Sequence, residues 1–150
     1  MKKVNAIFFF LLLFLNINIV LAENSQKIHI YDLWINEAPP TTTVLVAYVV
    51  LKNNSKRLMT LNSVSCPLFS SIEIPRSIIK NDIASMERHS MLEIPSKSTI
   101  KLSPGDFHLM LFNPEIPLNT HDTPIFTFSF LDGTQIPVTA TIRKRKDMTH

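Results

Sequence analysis

Near the end of the chain, Phe126, Phe128 and Phe130 alternate with Thr127 and Ser129, and Ile136, Val138, Ala140 and Ile142 alternate with Pro137, Thr139 and Thr141. A strict period of two belongs to a strand with one buried face. Two such runs side by side commit this end of the chain to a hairpin, and the loop between them sets its register. A two-residue loop, Asp132-Gly133, would place Gln135 opposite Phe130. A three-residue loop, Leu131-Asp132-Gly133, pairs Phe130 with Thr134 and Phe128 with Ile136. Only the second keeps the apolar faces together, because a slip of one residue reverses every side chain. The expectation is a type I turn with Gly133 in the left-handed position of a bulge. Pro137 has no N–H for the ladder, so it belongs on an edge or at a bulge.

The rest of the chain follows the same rule. No long stretch has helical periodicity, and short β-rich runs are separated by Pro, Asn, Asp and Ser. The expected strands are 27–35, 43–51, 58–64, 66–74 ended by Pro75, 84–94 closed by Pro95, 99–102, 107–112, 125–131 and 136–142. Residues 78–82 are expected to form a turn, and 113–124 an ordered surface crossover. Residues 43–51 are almost wholly β-branched or aromatic, as in a central strand buried on both faces. The predicted fold is an all-β Greek-key β-sandwich.

Not all 150 residues are expected to take part. Met1 to Ala22 has the pattern of a signal peptide: Lys2 and Lys3, an apolar run from Ala6 to Leu21, then Val20-Leu21-Ala22 as the cleavage site. A membrane anchor is the alternative, but the run is shorter than the ~20 apolar residues a span needs. No Cys follows Ala22, which argues against lipid attachment at a new N-terminus. Cleavage leaves residues 23–150 as one exported domain, in a compartment where disulfides are permitted. The leader takes with it two of the 15 basic residues and none of the 12 acidic ones, so the remainder carries a formal charge of +1. No basic stripe runs through it, so nucleic acid is not expected as a partner. Arg143-Lys144-Arg145-Lys146 reads as a solvated end.

Cys66 is the only cysteine, so the domain has no internal disulfide. A lone exported Cys is usually a small buried hydrophobe. With two glycines in the whole chain, a Gly-rich phosphate loop is excluded. There is no Gly-x-Ser-x-Gly elbow, and the carboxylates are scattered. The residues give no grounds for an enzyme.

One stretch does carry chemistry: Leu102-Ser103-Pro104-Gly105-Asp106-Phe107-His108-Leu109-Met110-Leu111-Phe112. A Pro-Gly turn leads into an extended run, in which His108 and Met110 fall on one face. An imidazole beside a thioether is a soft pair suited to Cu(I). Cys66 is followed by Pro67-Leu68-Phe69, without the nearby His that an electron-transfer copper site would require. Met86 precedes His108 by 21 intervening residues, and His89 and Met91 lie close to it. Met148 and His150 fall in what reads as a frayed end.

This spacing resembles the metal motif of the periplasmic copper(I) chaperone family PCu(A)C: a His or Met, ten residues, a Met, 21 residues, then His-x-Met. The likeness extends to Asp32-Leu33-Trp34-Ile35, to Ala47-Tyr48-Val49-Val50-Leu51-Lys52-Asn53, and to Phe130-Leu131-Asp132-Gly133. The resemblance implies a cupredoxin-like sandwich, a Cu(I) cargo, and Met86, His108 and Met110 as metal ligands. It also implies delivery to cytochrome c oxidase assembly, with subunit II or a Sco-like protein as acceptor and the chaperone itself a monomer. One departure stands out. The first ligand position is Pro75, which offers no donor. His89 or Met91 is the expected replacement, though His89 has the wrong parity on a straight strand and would need a bulge or loop. Three-coordinate Cu(I) is the simpler alternative, and a metal-free binding module is the rival reading of the whole protein.

Overall fold

A computed structural model describes residues 27–144. Met1–Ala22, Met148 and His150 lie outside the described residues. The strands are β1 (Ile28–Asn36), β2 (Val44–Asn53), β3 (Met59–Ser65), β4 (Phe69–Lys80), β5 (Ile83–His89), β6 (Leu92–Ile94), β7 (Thr99–Leu102), β8 (Leu109–Pro114), β9 (Ile125–Phe130), β10 (Gln135–Thr139) and β11 (Thr141–Arg143). One sheet has the order β11-β1-β2-β8-β4-β5, with β7 also paired to β2. The other has the order β10-β9-β3-β6. Their facing sides close over Leu45, Ala47, Val49 and Leu51 of β2, Leu109 and Leu111 of β8, Leu61 of β3, and Phe126, Phe128 and Phe130 of β9. This is an all-β, cupredoxin-like sandwich.

The final hairpin has the register expected from its side-chain alternation. Ile136 pairs with Phe128. Phe130 N–H donates to the Thr134 carbonyl at 2.9 Å, Gly133 N–H donates to Phe130 at 3.0 Å, and Gly133 has φ +84°. β10 is an edge strand, which accommodates Pro137.

Four expectations fail, each for a tertiary reason. β4 does not stop at Pro75 but runs through it to Lys80. The expected turn at 78–82 shrinks to Asn81-Asp82, both at positive φ, as a two-residue hairpin requires. The run 84–94 is two strands: β5 pairs with β4, and β6 crosses to pair with β3 in the other sheet. The run 136–142 divides at Ala140, whose N–H donates to Pro124 at 2.8 Å. β10 then stays with β9, while β11 lies parallel to β1. β5 is largely exposed, and the inward residues of 84–94 begin only at Leu92 and Ile94; in 136–142 the core lies between the sheets, and Ile136, Ala140 and Ile142 stay inward on both sides of the crossing. Alternation alone therefore cannot reveal the crossing.

Asn53 holds one end of the sandwich. It is buried, and its Nδ2 donates to the carbonyls of Arg57 (2.7 Å), Ile94 (2.9 Å) and Pro95 (3.0 Å). Its Oδ1 accepts from Ser55 N–H at 2.9 Å and Ser55 Oγ at 2.7 Å. Cys66 is buried in the core, and desolvation pushes its thiol pKa up from 9.0.

Candidate metal centre

The loop before β8 is built from its own sequence. Asp106 N–H donates to the Ser103 carbonyl at 3.1 Å, with Pro104 second and Gly105 third at φ +85°. That is a type II turn, in which Gly at the third position avoids the strain a side chain would meet. Arg76 Nε donates to Asp106 Oδ1 at 2.8 Å and its guanidinium lies 5.0 Å from the Phe107 ring, so β4 braces the turn.

His108 leaves this turn just ahead of β8. It is one of two buried polar side chains among the described residues, the other being Asn53. Its Nδ1 lies 3.0 Å from the Asp106 carbonyl. A carbonyl only accepts, so Nδ1 carries the proton and Nε2 keeps its lone pair free for a metal. Met110, half-buried, is two residues on and faces the same way.

The face they share is the one turned away from the core, since Leu109 and Leu111 point inward. Across β8, Met110 pairs with Glu73 of β4 on one side and Val46 of β2 on the other. His108 N–H donates to the Pro75 carbonyl at 3.1 Å, continuing the β4–β8 register. Continuing the β2–β8 register by one residue sets Tyr48 level with His108. Tyr48 stacks on Trp34 with centroids 4.6 Å apart, and the Arg143 guanidinium covers Trp34 at 5.0 Å.

Met86 lies on β5 opposite Ser77 and shares this face by parity, but it stands one strand beyond Pro75 and is 60% exposed. Two strand spacings across the sheet and two residues along it, roughly 12 Å in all, separate its backbone from that of His108. The structure therefore brings His108 and Met110 together beside Pro75 and leaves Met86 on a projecting hairpin. The bulge that His89 would need is absent, because the β4–β5 register runs unbroken from Lys80–Ile83 to Ile74–His89. His89 pairs with the core-facing Ile74, and its ring meets Phe107 edge-on at 5.1 Å. Met91 lies half-exposed in the crossover from β5 to β6. Among the described residues, no three His, Cys, Asp or Glu side chains form a metal cluster.

Sequence reasoning missed Glu73. Its Oε2 is buried and accepts no hydrogen bond among the described residues, although Arg88 Nε is 3.1 Å away, close enough for a charge contact without hydrogen-bond alignment. The alternation Glu73-Ile74-Pro75 holds the signal: the residue two before the missing ligand shares its face.

The fold and this outward-facing pair define a cupredoxin-like domain with imidazole and thioether donors. A family model described as "putative lipoprotein LpqE-like" matches residues 28–142, and the chain belongs to that family, which is the PCuAC family. A putative lipoprotein of Leifsonia xyli subsp. xyli is 26% identical over 122 residues, 81% of this chain and 72% of the relative. Among solved structures, the copper-bound PCuAC domain from PmoF2 superposes with a TM-score of 0.66 at 18% identity, covering 79% of this chain and 94% of that one. Apo-DR1885 from Deinococcus radiodurans gives 0.63 at 25% identity, with coverage of 81% and 82%. The Cu(I) form of DR1885 gives 0.59 at 28%, with coverage of 75% and 76%.

Proposed function

We propose that this protein is an exported, monomeric copper(I) carrier, not an enzyme, in which His108 and Met110 form the fixed half of the site. The observation that carries this reading is the side-by-side placement of the two donors, with Nδ1 of His108 held by the Asp106 carbonyl and Nε2 free. A neutral imidazole and a thioether are soft, uncharged donors, so they favour Cu(I) over hard divalent ions. Nδ1 is protonated and fixed by a backbone oxygen, which sets the ring orientation before the metal arrives. The copper-bound relatives support the reading.

Met86 is the exposed half. It sits on a hairpin whose β5 residues are largely exposed, and its thioether can meet an incoming ion before His108 and Met110 do. Handover then proceeds by exchange of one ligand at a time with a partner's soft donors. Export through Met1–Ala22, residues 23–150 as the mature domain, a periplasmic location and delivery to cytochrome c oxidase subunit II or a Sco-like protein complete the proposal. The rival, a metal-free binding module, draws on Pro75, which removes a donor from the motif.

A Cu(I) titration against a competing chromogenic chelator tests the reading. One tightly held equivalent, lost in His108→Ala, is the expected result. Absence of chelator-competitive binding in the unmodified protein overturns the carrier and favours the rival.

A further inference from the structure

The motif lacks a donor at Pro75, but the face around Pro75 does not. Glu73 is two residues earlier on β4, so its side chain leaves the same side of the sheet. It is the direct cross-strand partner of Met110. Directly opposed side chains have Cβ atoms roughly 5 Å apart, and diagonal ones roughly 7 Å. Glu73 is therefore a neighbour of Met110 and the diagonal neighbour of His108, nearer to both than Met86 is.

Its carboxylate is also underused. Oε2 is buried without a hydrogen bond, in contact with Arg88 Nε at 3.1 Å. A desolvated carboxylate oxygen in that state calls for a donor or a cation. Arg88 holds it weakly, since its side chain is 76% exposed and an exposed ion pair contributes little. On the side away from β8, Glu73 borders an open cleft of about 410 Å³ shared with Ser63, Arg88 and His89.

We propose that Glu73 supplies the donor that Pro75 cannot, leaving Arg88 to join His108 and Met110 on the copper ion. The inference rests on the carrier reading above. It changes the character of the site. A carboxylate is a hard, anionic donor, and adding it to an imidazole and a thioether makes an O, N, S set that holds Cu(II) as well as Cu(I). The protein would then retain its cargo when the ion is oxidised outside the cytoplasm.

The test compares the unmodified protein with Glu73→Gln, Glu73→Ala and Arg88→Ala, using copper alone as the probe. Cu(I) affinity is read by chelator competition, Cu(II) affinity by titration, and Cu(II) coordination by electron paramagnetic resonance, with circular dichroism confirming the fold. Glu73→Gln is expected to weaken Cu(II) by at least about tenfold, to change its resonance spectrum, and to weaken Cu(I) less. Arg88→Ala, which frees the carboxylate, leaves Cu(II) affinity equal or higher. Copper affinities within about twofold of the unmodified protein in Glu73→Gln, with an unchanged spectrum, overturn the proposal while leaving the carrier intact. Failure of the unmodified protein to bind either ion overturns both.

Discussion

The backbone N–H of His108 donates to the carbonyl of Pro75 at 3.1 Å, and proline can return nothing. An ordinary residue at 75 would complete this rung by donating back to His108. The ring removes that bond, and β8 accordingly begins only at Leu109, with a lone bridge between Arg76 and Phe107 before it. The residue that deprives the motif of a ligand also loosens the ladder at the remaining imidazole.

Restoring both functions at once is a direct test. Pro75→His replaces the N–H and puts an imidazole level with His108. Cu(I) affinity should rise by about tenfold or more, equivalent to about 1.4 kcal/mol. A chelator competition showing equal or weaker binding would mean that the site does not extend to β4 at this level.

The thioethers should not be equal. Met110 is half-buried beside His108, whereas Met86 stands on the exposed hairpin. Leu has nearly the same volume as Met, so Met→Leu removes the donor with little repacking. Met110→Leu should weaken Cu(I) by roughly a hundredfold and Met86→Leu by roughly tenfold, losses of about 2.7 and 1.4 kcal/mol. Equal losses would show that the hairpin folds onto the site as tightly as β8 does.

Cys66 is expected to stay out of the copper chemistry. Burial raises its thiol pKa, so the folded state keeps the proton that the unfolded chain gives up. The stabilisation from the neutral thiol is complete below the unfolded-state value and is lost as pH climbs through the folded one. Stability should therefore fall as pH passes above about 9 in denaturant titrations. Alkylation of native protein at neutral pH should be slow and speed up sharply on unfolding. Rapid labelling of the folded chain would contradict the burial.

Asn53 should be costly to replace. Asn53→Ala strips partners from the Arg57, Ile94 and Pro95 carbonyls at once. With the buried Ile94 oxygen left unpaired, the expected loss is about 2–4 kcal/mol, read as a lowered urea midpoint. Copper stoichiometry should not change, since Asn53 lies at the β2 end away from Met110.

Much of this was legible from residue order. The Phe126–Phe130 alternation and the Leu131-Asp132-Gly133 loop set the last hairpin, Pro104-Gly105 set the turn before His108, and His108-Leu109-Met110 put both donors on one face. These are local facts, decided by backbone sterics and a period of two. The path of residues 136–142 was not legible, because inward alternation is compatible with either sheet, and neither was that of 84–94, where the break depends on β5 pairing with β4 and β6 with β3. Nor could spacing show that β4 continues through Pro75. Only the assembled sheet sets Glu73 opposite Met110, His89 against Phe107 and Met86 two strands away, since cross-strand neighbours are chosen by register between segments distant in sequence. The sequence by itself determined a β-sandwich bearing a His–Met pair; the tertiary structure decided which side chains stand next to that pair, because pairing and core closure act between strands rather than along them.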